Sequence, residues 1–72
     1  MNFLEIGKKD GASQFGMDVL TETSRNDSLL VYTAIQSEHF EMALSRLSLA
    51  EYVGGFVVGY LMARYAQPEV EA

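Results

Sequence analysis

Leu47 to Ala63 (LSLAEYVGGFVVGYLMA) is a run of seventeen residues that carries one charge, Glu51, and three glycines, Gly54, Gly55 and Gly59. A segment this apolar has to be covered by its own chain, a second copy, another protein or lipid. The chain has 72 residues and a mass of 8.0 kDa, and a core of that size supplies only about 3–5 kcal/mol of net stability. Chains this small are commonly stapled. There is no cysteine for a disulfide, and His39, the one histidine, cannot make a structural zinc site alone. Association, as a homodimer or with a larger protein, is the staple that remains.

Ser48-Leu49-Ala50-Glu51 reads as a capping box, in which the serine oxygen and the glutamate carboxylate satisfy each other's backbone N–H groups. It predicts a helix over 49–66, about 27 Å long, ending before Pro68. The acidic tail, 67–72, is expected to be disordered. On a helical wheel Leu49, Tyr52, Val53, Phe56 and Tyr60 form a bulky face, and Gly55, Gly59 and Ala66 a flat one. Gly55-x-x-x-Gly59-x-x-x-Ala63 is a small-residue repeat that lets two helix backbones approach closely, either between two copies or within one chain. The expected interface is therefore Tyr52, Gly55, Phe56, Gly59, Tyr60 and Ala63. A membrane span, which takes roughly 20 apolar residues, fits less well, because the run is short, contains Glu51 and ends at Arg64 without a basic flank.

Upstream, Phe3-Leu4-Glu5-Ile6 is a short apolar lead, and the polar, glycine-bounded stretch Gly7-Lys8-Lys9-Asp10-Gly11 reads as a flexible joint, so residues 1–11 stand apart from a single domain over 12–66. Ala12, Phe15, Gly16, Val19, Leu20 and Thr23 recur at helical spacing and predict a helix over 12–24, with Gln14, Asp18, Thr21 and Glu22 facing outward. Asn26 or Asp27 is placed to cap a second helix over 28–47, breakable near Ser37. Leu29, Thr33, Phe40, Leu44 and Leu47 make one stripe on it, and Val31, Ile35 and Met42 another. The fold expected is all-α, about three helices (12–24, 28–47, 49–66) completed by homo-oligomerisation. The alternative is α+β, with a hairpin of 15–23 and 29–36 followed by two helices, since LLVYTAI is also rich in strand-forming residues.

A net charge of −5, with Lys8, Lys9, Arg25, Arg46 and Arg64 scattered along the chain, argues against direct nucleic-acid binding, which needs clustered cations to displace counterions. The N-terminal residues have neither the basic start nor the unbroken apolar stretch of a signal peptide, and the cytoplasm is the expected location. Asn26-Asp27-Ser28 matches a glycosylation sequon but reads as a turn and helix start. His39 beside Glu38 and Glu41 is the sole grouping with acid–base potential, and on a helix surface it reads as a solvated charged face. No metal site, cofactor or enzymatic activity is expected. Asp18, Glu22, Glu38 and Glu41 form a candidate acidic surface able to offer carboxylates where a partner binds phosphates, although such charge also serves solubility. The four methionines and the tyrosines Tyr52, Tyr60 and Tyr65 suit either core or contact surface. These features together predict a small acidic interaction module that blocks or recruits a larger protein, in the manner of a phage- or mobile-element-type inhibitor of a host nucleic-acid enzyme. The alternatives are a structural homo-oligomer and, after it, a small membrane-associated protein.

Overall fold

The computed structural model describes residues 1–66, which form four helices and no strand: α1 (Phe3–Thr21), α2 (Asp27–Ile35), α3 (Glu38–Met42) and α4 (Arg46–Ala66). The protein is a small all-α bundle. The two segments of the alternative hairpin lie in and around α1 and α2, and the tail expected to be disordered, 67–72, falls outside the described residues.

Residues 1–11 are not a lead and joint. From Phe3 onward they form the first half of α1, capped by Asn2, whose side chain accepts from the Glu5 amide at 3.2 Å. Gly7 and Gly11 are buried in that helix because α4 lies against them. A Cβ on Gly7 would strike the Tyr52 carbonyl and stand 2.8 Å from the Phe56 nitrogen, and one on Gly11 would strike the Phe56 carbonyl and stand 2.8 Å from the Tyr60 nitrogen. The relation is reciprocal. A Cβ on Gly55 would meet the Leu4 carbonyl and one on Gly59 the Lys8 carbonyl, the latter 2.6 Å from the Lys8 Cα. Only hydrogen at these four positions allows backbone to touch backbone. Because residue numbers rise together on both sides of the seam, α1 and α4 run parallel.

Two short helices carry the chain back between the parallel pair. α1 ends where Glu22 adopts a left-handed conformation (φ 55°) and the Thr23 and Glu22 amides donate to the Asp18 and Val19 carbonyls at 2.8 and 3.3 Å, the Schellman pattern of helix ends. Asn26 caps α2 by accepting from the Leu29 amide at 2.9 Å. The segment expected as one helix over 28–47, breakable near Ser37, does break there, where Ser37 caps α3 by accepting from the Phe40 amide at 3.2 Å, and it breaks again after Met42, so that residues 46–47 belong to α4. The break rephases the segment, so the face of α2 that is buried is Leu30 and Ala34, and Leu29, Val31, Ile35, Met42 and Leu44 are exposed. α4 likewise starts before the predicted box. The Ser45 hydroxyl accepts from the Ser48 amide at 3.1 Å, so Ser48 and Glu51 lie inside a helix that Ser45 has already capped.

The core is narrow. Ala34, Tyr52 and Phe56 form its centre, with Phe3, Ile6, Phe40 and Val53 packed around them, and Leu30, Ala43 and Tyr60 are also buried. α2 and α3 cover one flank of α4, and α1 covers the next.

Candidate functional site

Two polar clusters lie along the α1–α4 pair, and they share one plan. In the lower one Asp18, 2% exposed, receives the Tyr60 hydroxyl at 2.5 Å and Arg25 Nε at 2.6 Å on Oδ2, and Gln14 Nε2 at 2.8 Å and Arg25 Nη2 at 3.1 Å on Oδ1. Arg25 in turn donates to the Thr33 hydroxyl at 2.9 Å, tying α2 to α1. Arg64 donates to the Arg25 carbonyl at 3.1 Å and holds its guanidinium 5.3 Å from the Tyr60 ring centre. Burial alone pushes the Asp18 carboxyl up, but the hydrogen bonds from Arg25, Tyr60 and Gln14 outweigh it and hold the group below its ordinary value. Tyr60 is moved the other way, upward, by burial and by its bond to Asp18.

The upper cluster sits eight residues earlier on both helices. The Tyr52 hydroxyl donates to Asp10 Oδ2 at 2.6 Å, the Ser37 hydroxyl donates to the Tyr52 oxygen at 2.6 Å, and His39 Nδ1 lies 2.6 Å from the same Asp10 oxygen. Burial and the Asp10 carboxylate push the Tyr52 hydroxyl up to about 12. This arrangement does not resemble a nucleophile with its base. The serine hydroxyl is directed at tyrosine, tyrosine is held as a donor, and both tyrosine and histidine converge on one carboxylate oxygen. Its chemical effect is to fasten α1, α3 and α4 at one level. Among the described residues every buried side-chain nitrogen or oxygen has a hydrogen-bond partner, as expected where polar groups specify a register.

The residues singled out from sequence are therefore distributed differently from the expectation. Tyr52, Gly55, Phe56, Gly59 and Tyr60 do form a close-packed seam, but within the chain: α1 occupies it, and Ala63 lies half-buried near its end. Asp18 leaves the candidate acidic surface for the interior, because Arg25, Tyr60 and Gln14 surround it. Glu22, Glu38 and Glu41 are exposed. His39 pairs with Asp10 rather than with Glu38 or Glu41. The residues that sequence reasoning missed are Asp10 and Arg25. For Asp10 the signal was the common spacing of eight, from Asp10 to Asp18 and from Tyr52 to Tyr60; for Arg25, in the turn after α1, there was none.

The described residues enclose no pocket and hold no group of three His, Cys, Asp or Glu side chains that could bind a metal ion. None of their helices is long and apolar enough to cross a membrane. What they do present is apolar surface: Leu44 is 96% exposed, Leu20 85%, Tyr65 79% and Leu47 70%. The class defined by this fold is a small parallel-paired helical bundle with a narrow apolar core, a buried carboxylate, Asp18, and many large apolar side chains left exposed. No family model, curated protein or solved structure matches the chain.

Proposed function

We propose that the protein is a non-catalytic interaction module that acts by occupying a surface of a larger protein, blocking or recruiting it. The observation that carries this reading is exposed apolar surface. Among the described residues the core takes in only Leu30, Ala34, Ala43, Tyr52, Phe56 and Tyr60, whereas large side chains such as Leu44 and Tyr32 stand in solvent. Apolar surface left exposed on this scale marks binding surface. The outer side of α2 and α3 is the contact we favour for the partner. Tyr32, Ile35 and Met42 on these helices, with Leu44 in the link that follows α3, supply exposed apolar anchors, and Glu38 and Glu41 supply negative charge suited to a basic rim, including one that otherwise meets phosphates.

The test is capture of partners from lysate by tagged wild-type chain in parallel with two variants, Leu44→Asp and Glu38→Gln/Glu41→Gln. A protein held in stoichiometric amount by the wild type, lost with Leu44→Asp and held with weaker salt dependence by the amide variant, is the expected result. Capture indifferent to both substitutions, or no stoichiometric protein at all, overturns the reading.

A further inference from the structure

The solvent face of α4 is a second apolar surface, separate from α2 and α3. Leu47, Ala50, Gly54, Val58, Met62 and Tyr65 are all exposed and follow one another at intervals of three, four, four, four and three residues, so the stripe has the same spacing read in either direction. None of the six carries a charge, and the one charged residue on this face is Glu51, half-buried one turn after Leu47. A Cβ on Gly54 would meet nothing within 4 Å, so the middle of the stripe is open. Its first half is small (Ala50, Gly54) and its second half large (Val58, Met62, Tyr65). The taper suits a second copy in the opposite direction: about a centre at residue 56, Leu47 faces Tyr65, Ala50 faces Met62 and Gly54 faces Val58, each smaller side chain against a larger one. Parallel pairing would set Ala50 on Ala50, Gly54 on Gly54 and Tyr65 on Tyr65, leaving a gap behind Leu47 and crowding at the far end.

The area agrees. Leu47, Val58, Met62 and Tyr65 are 70%, 43%, 60% and 79% exposed, which for side chains of this size is roughly 500 Å² of apolar surface on each chain. Two copies would bury about 1,000 Å², at the lower limit of specific interfaces, so the association should be reversible. We propose that α4 pairs antiparallel with α4 of a second copy through this stripe. The proposal stands apart from the partner-binding surface on α2 and α3, and either can fail alone.

The chain has no cysteine, so introduced ones report register. Leu47 and its counterpart in an antiparallel pair are about 27 Å apart, eighteen residues at 1.5 Å each, whereas Leu47 and the counterpart of Tyr65 are adjacent. An equimolar mixture of Leu47→Cys and Tyr65→Cys chains, oxidised under mild conditions, should give mainly the mixed disulfide and little Leu47→Cys homodimer. Light scattering of the wild type should rise with concentration from 8.0 kDa toward twice that mass, and Val58→Asp, with an unchanged circular dichroism spectrum, should stay monomeric. A chain monomeric at all concentrations, a Val58→Asp dimer as tight as the wild type, or preferential Leu47→Cys homodimer would overturn the proposal. The first of these would assign the stripe to another protein or to a lipid surface.

Discussion

Replacing Gly11 by alanine puts a methyl group into the Phe56 carbonyl and 2.8 Å from the Tyr60 nitrogen. Neither atom can swing aside, since both belong to the backbone of α4, so the two helices have to part by well over about 1 Å before the methyl reaches ordinary contact. A gap of about 0.5–1 Å already forfeits roughly a quarter to a half of the dispersion energy of every contact it opens. It also stretches the Tyr60–Asp18 and Tyr52–Asp10 bonds on either side. Overpacking of this type costs about 1–3 kcal/mol, against which alanine's higher helix propensity returns about 1 kcal/mol. Since a chain of 72 residues holds only about 3–5 kcal/mol in all, Gly11→Ala should lose a large share of the stability, and Gly7→Ala and Gly59→Ala should behave alike. Gly16 is the control. It lies in the same helix with nothing within 4 Å of its would-be Cβ, so Gly16→Ala should gain about 0.5–1 kcal/mol. Urea unfolding followed by circular dichroism reads both, with a slope near 1 kcal/mol per molar for a domain this small. The midpoint should fall by about 1 M for Gly11→Ala and rise for Gly16→Ala. If the two substitutions move it in the same upward direction, the close backbone seam does not exist.

The carboxyl of Asp18 is held below its ordinary value of 3.8 in the fold, so its contribution is fully present above about pH 4 and is lost as pH falls through the lowered value; Tyr60→Phe, which removes one donor, should move the acid-unfolding limb to higher pH in a circular dichroism titration. Tyr52 shows the opposite sign: raised from 10.0 to about 12 in the fold, it contributes fully below pH 10 and loses about 3 kcal/mol as pH climbs through 12. Tyr52→Phe should lower stability at pH 7 by about 1–3 kcal/mol and flatten the decline between pH 10 and 12, and an unaltered alkaline slope would contradict the assignment. Glu22 holds a left-handed conformation (φ 55°) at the end of α1, where a side chain costs about 1 kcal/mol. Glu22→Gly should therefore leave the spectrum unchanged and raise the urea midpoint, despite removing a charge from the exposed acidic set.

The helical class of the fold was legible because it is local, and so were the Asn26 cap of α2 and the break near Ser37. The Ser48–Glu51 box misled, because Ser45, three residues earlier, already caps α4. The faces were not legible, for a reason that lies in the long-range pairing. In α1 the apolar spacing pointed Val19 and Leu20 inward, yet Leu20 is 85% exposed and Asp18, assigned outward by its charge, is 2% exposed. The partner decides. Once α4 rests on Gly7 and Gly11, the inward face is set by those glycines, and the position two turns beyond Gly11 is Asp18, which needs Arg25 and Tyr60 to be buried at all. Gly7 and Gly11 read as a joint because a glycine in isolation signals flexibility, and its alternative use, close approach, shows only when the facing backbone is known. For the same reason the Gly55–Gly59 repeat left its occupant open, and in the fold that occupant is α1: a small-residue repeat specifies a distance between helices and says nothing about which chain supplies the second helix.

That limitation also explains why the polar clusters are present. Glycines at 7 and 11 facing glycines at 55 and 59 repeat every four residues, so sliding α4 by one such period would still set glycine against helix backbone at part of the seam, at modest loss. A seam made only of this repeat would tolerate more than one register. The tyrosine–aspartate pairs repeat every eight, Tyr52 with Asp10 and Tyr60 with Asp18. A slip of four breaks both, takes the Tyr60 donor from Asp18 and leaves the two tyrosine hydroxyls against apolar surroundings, where an unpaired polar group costs about 1–3 kcal/mol. The glycines thus set how near the helices come, and the tyrosine–aspartate bonds set where they stop. Buried charge that adds little net stability can still select one arrangement among several of similar packing energy, and in a bundle this small the selected arrangement also fixes which apolar side chains are left on the outside of α2, α3 and α4 for other molecules to meet.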